Sequence, residues 1–585
     1  MLKIVKVKVS SFLSAAVLAS VHSPATYAPA HVPCPSDSLL RVFTPANQTL
    51  HPREAQYVDA RLQDLPATWN KWIDVDALGY DLQSLGGDQG VNFPKVGIAL
   101  SGGGYRAALM GAGVLSALDS RDDKAAAAGT GGLLQVASYI SGLSGGAWLL
   151  SSWAFSSMPM MRELVLGSED GSNAGWITQA DIFTPADADF PAPGTNASAA
   201  SMLESSYYDA MLAGVQDKAT AGFNVSLTDV WSRALSYHFL RGTNKENYFD
   251  NSTHGTGTRF SGGKPVDASS CVTGFDQAGF VFGTSSNLFA GLVNVTSGQV
   301  QGLSNSPGAA TALKTVLGFL SSVSKGFLDV ANYPNPFRGI KPGQFQDSDA
   351  GEIQLIDGGL NVENIPLSSL MIKARAVDVI VAVDASSDDA NLWPNGIALY
   401  ATSNRSVLVS SEVDQRFPPL PLAQADFVRM GLNQRPTFLG CNPKQLPPEF
   451  PLVVYIPNTP PVDGTDPITN TNTLKTQYST NHTSRFLDAA RSSAISGFVP
   501  NELGADPNFG KCLQCAAVDR ARLKASPPVP RSEFCGKCFE QYCYEEGAQP
   551  GAVVGRKLEY FDPDTAGGEP MAMARRSRMS MTTKT

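Results

Sequence analysis

Ser144 stands between Gly142 and Gly146 in Ile140-Ser-Gly-Leu-Ser-Gly-Gly-Ala-Trp148, a Gly-x-Ser-x-Gly pattern. The residues before it, Gln135-Val-Ala-Ser-Tyr-Ile140, are mixed apolar and β-prone, and those after it, through Trp153, suit a helix. Strand, tight turn and helix make the context in which this pattern becomes a nucleophile elbow. The turn strains the backbone at the serine, so its neighbours must be small, and glycines meet that need. The helix N-terminus behind the turn favours developing negative charge. The competing reading is a Gly/Ser turn without chemistry, and two other stretches decide against it.

Upstream, Val96-Gly-Ile-Ala-Leu-Ser-Gly-Gly-Gly-Tyr-Arg-Ala-Ala-Leu109 reads as strand, triple-glycine loop and helix start. The N–H groups of Gly103 and Gly104 carry no side chains in their way and can point at an oxyanion. Arg106 adds a cation beside the same mouth. Neither Gly-x-Gly-x-x-Gly nor Gly-Lys-Ser/Thr is present, so dinucleotide and P-loop readings are weak. Downstream, the apolar run Glu352-Ile-Gln-Leu-Ile356 leads into Asp357-Gly-Gly359, which puts a carboxylate at a strand tip. Alone that is an ordinary turn aspartate. What favours function is its combination with the serine elbow and the glycine loop.

Ser-Gly-Gly-Gly-Tyr-Arg-Ala (101–107), Gly-Leu-Ser-Gly-Gly-Ala-Trp (142–148) and Asp-Gly-Gly (357–359) together resemble the secreted fungal lysophospholipase/phospholipase B family. Its catalytic domain is similar to that of the cytosolic phospholipases A and, more distantly, patatin. The similarity extends to Asp229-Val-Trp-Ser-Arg-Ala-Leu-Ser236, to Gly274 through Ser285, to Trp393-Pro-Asn-Gly396 and into the cysteine-rich end. The resemblance implies a Ser–Asp dyad, with Ser144 the nucleophile and Asp357 its base. It implies an oxyanion hole at Gly103 and Gly104, and Arg106 on the substrate phosphate. The expected reaction is hydrolysis of phospholipid and lysophospholipid acyl esters through an acyl-enzyme, at a membrane or micelle surface, with no cofactor and no metal. The family often continues Asp-Gly-Gly with an acidic pair; here Leu360 and Asn361 follow.

These stretches need a scaffold. The chain has 585 residues, 43% hydrophobic and 17% charged, an ordinary globular composition with enough apolar residues for a large core. Length alone suggests about four domains. The site stretches, however, run from 96 to 359 and must converge, which predicts one catalytic body at 34–545 with large insertions and a cysteine-rich end at 505–545. Ala376-Val-Asp-Val-Ile-Val-Ala-Val383 is β-branched and apolar on both faces, as a buried parallel strand requires. The expected fold is α/β, a mixed central sheet flanked by helices, similar to the cytosolic phospholipases A and patatin. A helix is expected over His51–Leu62 with Tyr57 and Leu62 facing the core, and Trp69 and Trp72 are expected to be buried. Asp122–Gly132 and Tyr333–Phe337 read as loop and turn, Ala309–Phe327 as a buried helix, and 155–270 as insertions that include a candidate lid.

Residues 1–25 read as a secretory signal, with Lys3, Lys6 and Lys8 before a short apolar core. No stretch is long enough to span a bilayer. Residues 546–585 read as a polar, disordered tail without the hydrophobic segment of a GPI signal, so the chain is expected to be freely secreted. Sequons at Asn47, Asn196, Asn224, Asn251, Asn294, Asn404 and Asn481 agree with export. A net charge of −9 argues against nucleic acid as a partner. Nothing in the sequence indicates an oligomeric state.

Eight cysteines are present, and Cys512-x-x-Cys515 with Cys535-x-x-Cys538 has zinc-site spacing. In an exported chain four disulfides are the better expectation. A Ser-His-Asp triad is the rival mechanism. Of His31, His51, His238, His254 and His482, only His482 follows Asp357, and it sits in the sequon 481–483, read as a surface loop. A general carboxylesterase or neutral lipase, and a non-catalytic lipid-binding protein, are the alternative functions. An aspartate base predicts activity persisting at about pH 4–5.

Overall fold

The computed structural model describes residues 28–564 apart from 37–38, 42, 45–46, 82–84, 86–92, 184–210, 241–255, 291–308, 345, 410–412, 443–449 and 547–552. The expected signal (1–25) and the sequons at Asn196, Asn251 and Asn294 lie outside these residues.

Five strands form the central sheet: β1 (Val96–Leu100), β2 (Ala137–Gly142), β3 (Val379–Asp384), β4 (Thr437–Leu439) and β5 (Leu452–Pro457), in the order β4-β5-β3-β1-β2. β1 runs parallel to both β2 and β3, β5 parallel to β3, and β4 antiparallel to β5. The expected mixed sheet is therefore present. β3 and β5 are rich in β-branched residues and buried throughout because both faces are covered. Ile98, Leu100, Val379, Val381 and Val383 enter one core, and Ala99, Ile380, Ala382, Val453 and Tyr455 enter a second on the opposite face.

Three helices carry the site stretches against that sheet. In α2 (Gly104–Leu118) every residue except Ser116 is buried, because α6 (Thr480–Ser496) covers the side away from the sheet. α3 (Gly145–Phe155) follows the elbow, and α4 (Leu227–Leu240) packs against it and against α5 (Ala278–Ser285). α4 contradicts the reading of 155–270 as insertions throughout, since it buries Leu227, Trp231, Leu235 and Phe239 in the main core. The lid reading rests partly on 184–210 and 241–255, outside the described residues.

Several local expectations are corrected. The first helix, α1, runs Pro52–Trp72, and Tyr57 and Leu62 are exposed; Val58, Leu65, Trp69 and Trp72 form its buried stripe. Trp69 and Trp72 are buried as expected. Asp122–Gly132 contains a short helix (Asp123–Ala128) capped by the Asp122 side chain. Ala331–Pro334 is a strand paired antiparallel with Glu352–Leu355, so the turn begins only after it. The Ala309–Val323 helix buries Val316 and Leu320, while Phe327 beyond it is exposed.

All eight cysteines are in disulfides: Cys34–Cys271, Cys441–Cys543, Cys512–Cys538 and Cys515–Cys535. Each Cys-x-x-Cys lies on a helix, α7 (Phe509–Lys524) or α8 (Glu533–Tyr542), where a spacing of three puts both sulfurs on one face. The two faces meet and cross-link. Beside them the buried Asp519 carboxylate pairs with Arg520, Arg522 and Arg531 at 2.8–2.9 Å, which anchors the stapled end. Part of the expected disordered tail is not disordered: within 553–564, the Leu558 carbonyl accepts from Trp393 Nε1 at 2.9 Å and Phe561 N–H donates to the Pro467 carbonyl at 2.8 Å, which binds the segment to the body. No helix among the described residues is long and apolar enough to cross a membrane.

Candidate active site

Parallel strands collect ligands beyond their carboxyl ends, and three of these strands do so together. β1 ends at Leu100 and delivers Ser101–Gly104, β2 ends at Gly142 and delivers Ser144, and β3 ends at Asp384 and delivers Ala385–Asp388. The three loops meet around a cavity of about 230 Å³ lined by Gly103, Arg106, Ser144, Asp357, Asn364 and Asp388 among others.

Ser144 has φ 51° and ψ −121°, a backbone that non-glycine residues rarely adopt. α3 begins at the next residue, which is the elbow expected from the sequence. The Ser144 N–H donates to Ser285 Oγ at 2.9 Å, and its carbonyl accepts from Trp148 N–H at 3.0 Å. The elbow is pressed against the glycine loop: a Cβ on Gly145 would stand 2.0 Å from the Gly104 carbonyl oxygen, and one on Gly102 would stand 2.9 Å from Ser144 Cβ.

Gly103 caps α2 with φ 138°, a conformation reserved for glycine, and Gly104 is the helix's first residue. The first N–H groups of a helix have no intrahelical acceptor, so the two amides beside Ser144 are those of a positive helix end. The loop itself is tied down by Asn364. Gly102 N–H donates to the Asn364 carbonyl at 3.0 Å, while Asn364 Nδ2 donates to the Gly102 carbonyl at 3.0 Å and to Ser386 Oγ at 2.7 Å.

Asp357 is nearly fully buried and caps a 3-10 turn (Gly358–Asn361), its Oδ1 accepting the Gly359 N–H at 2.8 Å. It comes from the edge hairpin (Ala331–Pro334 with Glu352–Leu355) and not from the central sheet. Burial pushes its carboxyl above the usual aspartate range; the Gly359 N–H and the Ser144 hydroxyl, a side-chain hydrogen-bond partner, pull it partly back. Among the residues lining the cavity there is no histidine.

Arg106 is where the structure departs most from expectation. It lines the cavity, yet it is 1% exposed. Its Nε donates to the Ala385 carbonyl at 2.8 Å, Nη1 to the Thr471 carbonyl at 2.6 Å and Nη2 to Thr473 Oγ1 at 2.9 Å. Burial lowers its pKa to about 10, which leaves it charged. It is a clamp joining α2 to the β3 loop and the 471–473 segment as much as a cation at the mouth.

His238 and His482 are both buried in helices. His482, read as a loop residue, is buried in the first turn of α6, where the Ser479 cap starts the helix. Its Nδ1 lies 3.4 Å from Asp564. His238 is buried in α4 with Nδ1 2.8 Å from the Ile177 carbonyl. His482, Asp562 and Asp564 bring ligand atoms within 4.8 Å of one another, but none of the three lines the cavity, and Lys475 stands 3.9 Å from Asp562.

The mouth is apolar. Ile356, Leu360 and Val362 are 42%, 48% and 46% exposed, and the last two line the cavity. Two of the residues that replace or flank the family's acidic pair are thus part of a greasy rim. Sequence reasoning missed Ser285, Asn364 and Ser386. Ser285 ends a stretch that carries the family resemblance, and Asn364 follows Asp357 by seven positions; their local patterns carry no chemistry, and only the fold shows what they hold.

Of the sequons, Asn47, Asn404 and Asn481 are exposed. Asn224 is not presented freely: its Nδ2 donates to both Glu352 carboxylate oxygens, at 2.9 and 3.0 Å.

Comparison with known proteins agrees with this geometry. A family profile described as "Lysophospholipase catalytic domain" matches residues 96–255 and 246–549. Lysophospholipase 3 of Aspergillus fumigatus is 32% identical over 635 residues, covering 96% of this chain and 94% of that one. Lysophospholipase 1 of Saccharomyces cerevisiae is 33% identical over 632 residues, covering 93% and 89%. Among solved structures, human GIVD cytosolic phospholipase A2 superposes with a TM-score of 0.51 at 17% identity, over 84% of this chain and 69% of that one. At that identity the likeness establishes the fold alone.

Proposed function

Since the chain belongs to the lysophospholipase catalytic-domain family and is a lysophospholipid hydrolase, we propose that it works through a Ser144–Asp357 dyad and an acyl-enzyme. The observation that carries this reading is the strained Ser144 within hydrogen-bond reach of Asp357, in one cavity with Gly103, the cap of the helix that follows the glycine loop.

Asp357 takes the hydroxyl proton as Ser144 Oγ attacks the ester carbonyl. Gly103 and Gly104 N–H groups receive the oxyanion, each donor contributing about 3–4 kcal/mol. The proton passes from Asp357 to the leaving glycerol oxygen. Water, deprotonated by Asp357, then attacks the acyl-enzyme and releases fatty acid. A second lysophospholipid in place of water gives transacylation. Arg106 has three of its five N–H groups engaged. Its remaining donors and its buried charge attract the substrate phosphate. Apolar Leu360 and Val362 face the lipid aggregate from which the substrate is drawn.

The alternative of a general esterase predicts no use for that charge. Because Arg106 also holds three segments together, simple loss of activity in Arg106→Ala does not discriminate. The informative quantity is the ratio of rates on lysophosphatidylcholine and on a neutral monoacyl ester, which falls only if phosphate is recognised. The reading itself is tested by hydrolysis of lysophosphatidylcholine by wild type, Ser144→Ala and Asp357→Asn, with folding checked. Activity that survives in Ser144→Ala removes it.

We read the protein as exported and glycosylated. Four disulfides that use every cysteine suit an oxidising compartment, and exposed Asn47, Asn404 and Asn481 are available to glycans. A mobility shift of the protein on glycosidase treatment tests this; an unmodified, cell-retained protein contradicts it.

A further inference from the structure

The cavity holds a second carboxylate that the hydrolysis does not use. Asp388 lines it together with Ser144, Asp357, Arg106, Ser387 and Thr473. Its backbone N–H donates to the Trp393 carbonyl at 3.0 Å, and its Oδ2 accepts the Asn395 N–H at 3.0 Å. These bonds fix the loop through the Asp388 backbone and Oδ2. The residue as a whole keeps solvent contact while its carboxylate is largely enclosed, and among the described residues no lysine, arginine or histidine forms an ion pair with it. Arg106, lining the same cavity, is the cation that acts on it. Arg106 Nη2 donates to Thr473 Oγ1 at 2.9 Å, and that hydroxyl lies 3.1 Å from the hydroxyl of Ser387, the neighbour of Asp388. One small cavity therefore presents a buried positive group and, nearer solvent, an unpaired negative one.

A phospholipid headgroup has the same order of charges. With the ester at Ser144 and the phosphate toward Arg106, the alcohol beyond the phosphate reaches the solvent side. We propose that Asp388 is a specificity-determining residue that receives the ammonium end of zwitterionic headgroups, choline or ethanolamine. The placement rests on the catalytic reading above, which orients the substrate. Burial first, and then the charge of Asp384, raise the Asp388 carboxyl to about 7, with Asp389 adding to the rise and Arg106 and the Asn395 N–H opposing it. An ammonium at this carboxylate supplies the compensation that the protein does not.

The test compares lysophosphatidylcholine with lysophosphatidylglycerol, which keeps the phosphate but ends in an uncharged alcohol. Both carry the same acyl chain in the same neutral-detergent micelles. In Asp388→Asn the choline-to-glycerol ratio of kcat/KM should fall about fivefold, the upper range for an exposed ion pair. Asp388→Glu should retain the preference. In wild type the ratio should rise between about pH 6 and 8 as the carboxyl ionises around 7, and this measurement needs no variant. A ratio unchanged within about twofold in Asp388→Asn, parallel losses on both substrates, or a wild-type ratio flat with pH overturns the proposal. Hydrolysis persisting in Ser144→Ala would instead sink the catalytic reading beneath it.

Discussion

Replacing Gly145 by alanine probes the contact on which the site is built. The new Cβ would lie 2.0 Å from the Gly104 carbonyl oxygen, where real Cβ contacts stay beyond 3.0 Å, so elbow and glycine loop must part by about 1 Å. Neither side yields easily. Gly104 begins a helix buried along nearly its whole length, and the elbow is wedged from below, since a Cβ on Gly146 would stand 2.5 Å from the Leu100 carbonyl. Displacing a nucleophile by 1 Å costs about 10²-fold in rate, and losing one oxyanion donor costs about 10²–10³-fold. Turnover on lysophosphatidylcholine should therefore fall by about two to three orders of magnitude. Overpacking lowers stability by about 1–3 kcal/mol, so the variant should still fold at 25 °C. The assay is kcat and KM in mixed micelles, with circular dichroism and Tm in parallel. Gly318→Ala is the control: it meets nothing within 4 Å and sits in the Ala309–Val323 helix, so kcat should not change. A Gly145→Ala enzyme that is folded and within about threefold of wild-type kcat refutes the claim that elbow and oxyanion loop work as one pressed unit.

Three further outcomes follow from the same geometry. Asp357 must be ionised to act, and its carboxyl is raised, so kcat/KM should hold at neutral pH and fall in acid with a midpoint above 3.8; a midpoint at or below that value contradicts the assignment. The same burial penalises the charge in the folded state: with the folded value above the unfolded one, stability is greatest below the unfolded value and declines as pH rises through the folded value. Asp357→Asn should accordingly raise Tm at pH 7 while abolishing turnover, and a lowered Tm would show that the carboxylate is structurally needed. Removing Cys512–Cys538, which spans 26 residues, should lower stability by about 3 kcal/mol, whereas a zinc chelator should leave Tm unchanged; the opposite pattern would restore the zinc reading.

What the sequence disclosed is what local chemistry dictates. Glycines around Ser144 and in 102–104 are demanded by backbone geometry and close approach, so the elbow and the glycine loop could be placed to within a residue or two. The buried strand at 379–384 announced itself by β-branched residues on both faces. Local patterns said little about who meets whom. Arg106 read as a cation at the mouth because its partners Ala385, Thr471 and Thr473 lie far along the chain. Asp357 read as the tip of a strand, which it nearly is, but nothing told that the strand belongs to an edge hairpin. α1 shows the same limit on a smaller scale. Tyr57 and Leu62 belong to a helical pattern, yet the stripe that packs is Val58, Leu65, Trp69 and Trp72. The Cys-x-x-Cys pairs were compatible with metal or disulfides until the helices carrying them were seen face to face.

The central claim is that Ser144 is a nucleophile activated by Asp357. Its most direct test is peptide mapping of the protein after reaction with a lipid-like fluorophosphonate, comparing wild type, Ser144→Ala and Asp357→Asn. The account predicts a single adduct on Ser144 in wild type, none in Ser144→Ala and labelling slowed by orders of magnitude in Asp357→Asn. An adduct on another residue, or undiminished labelling without the Asp357 carboxylate, would contradict it.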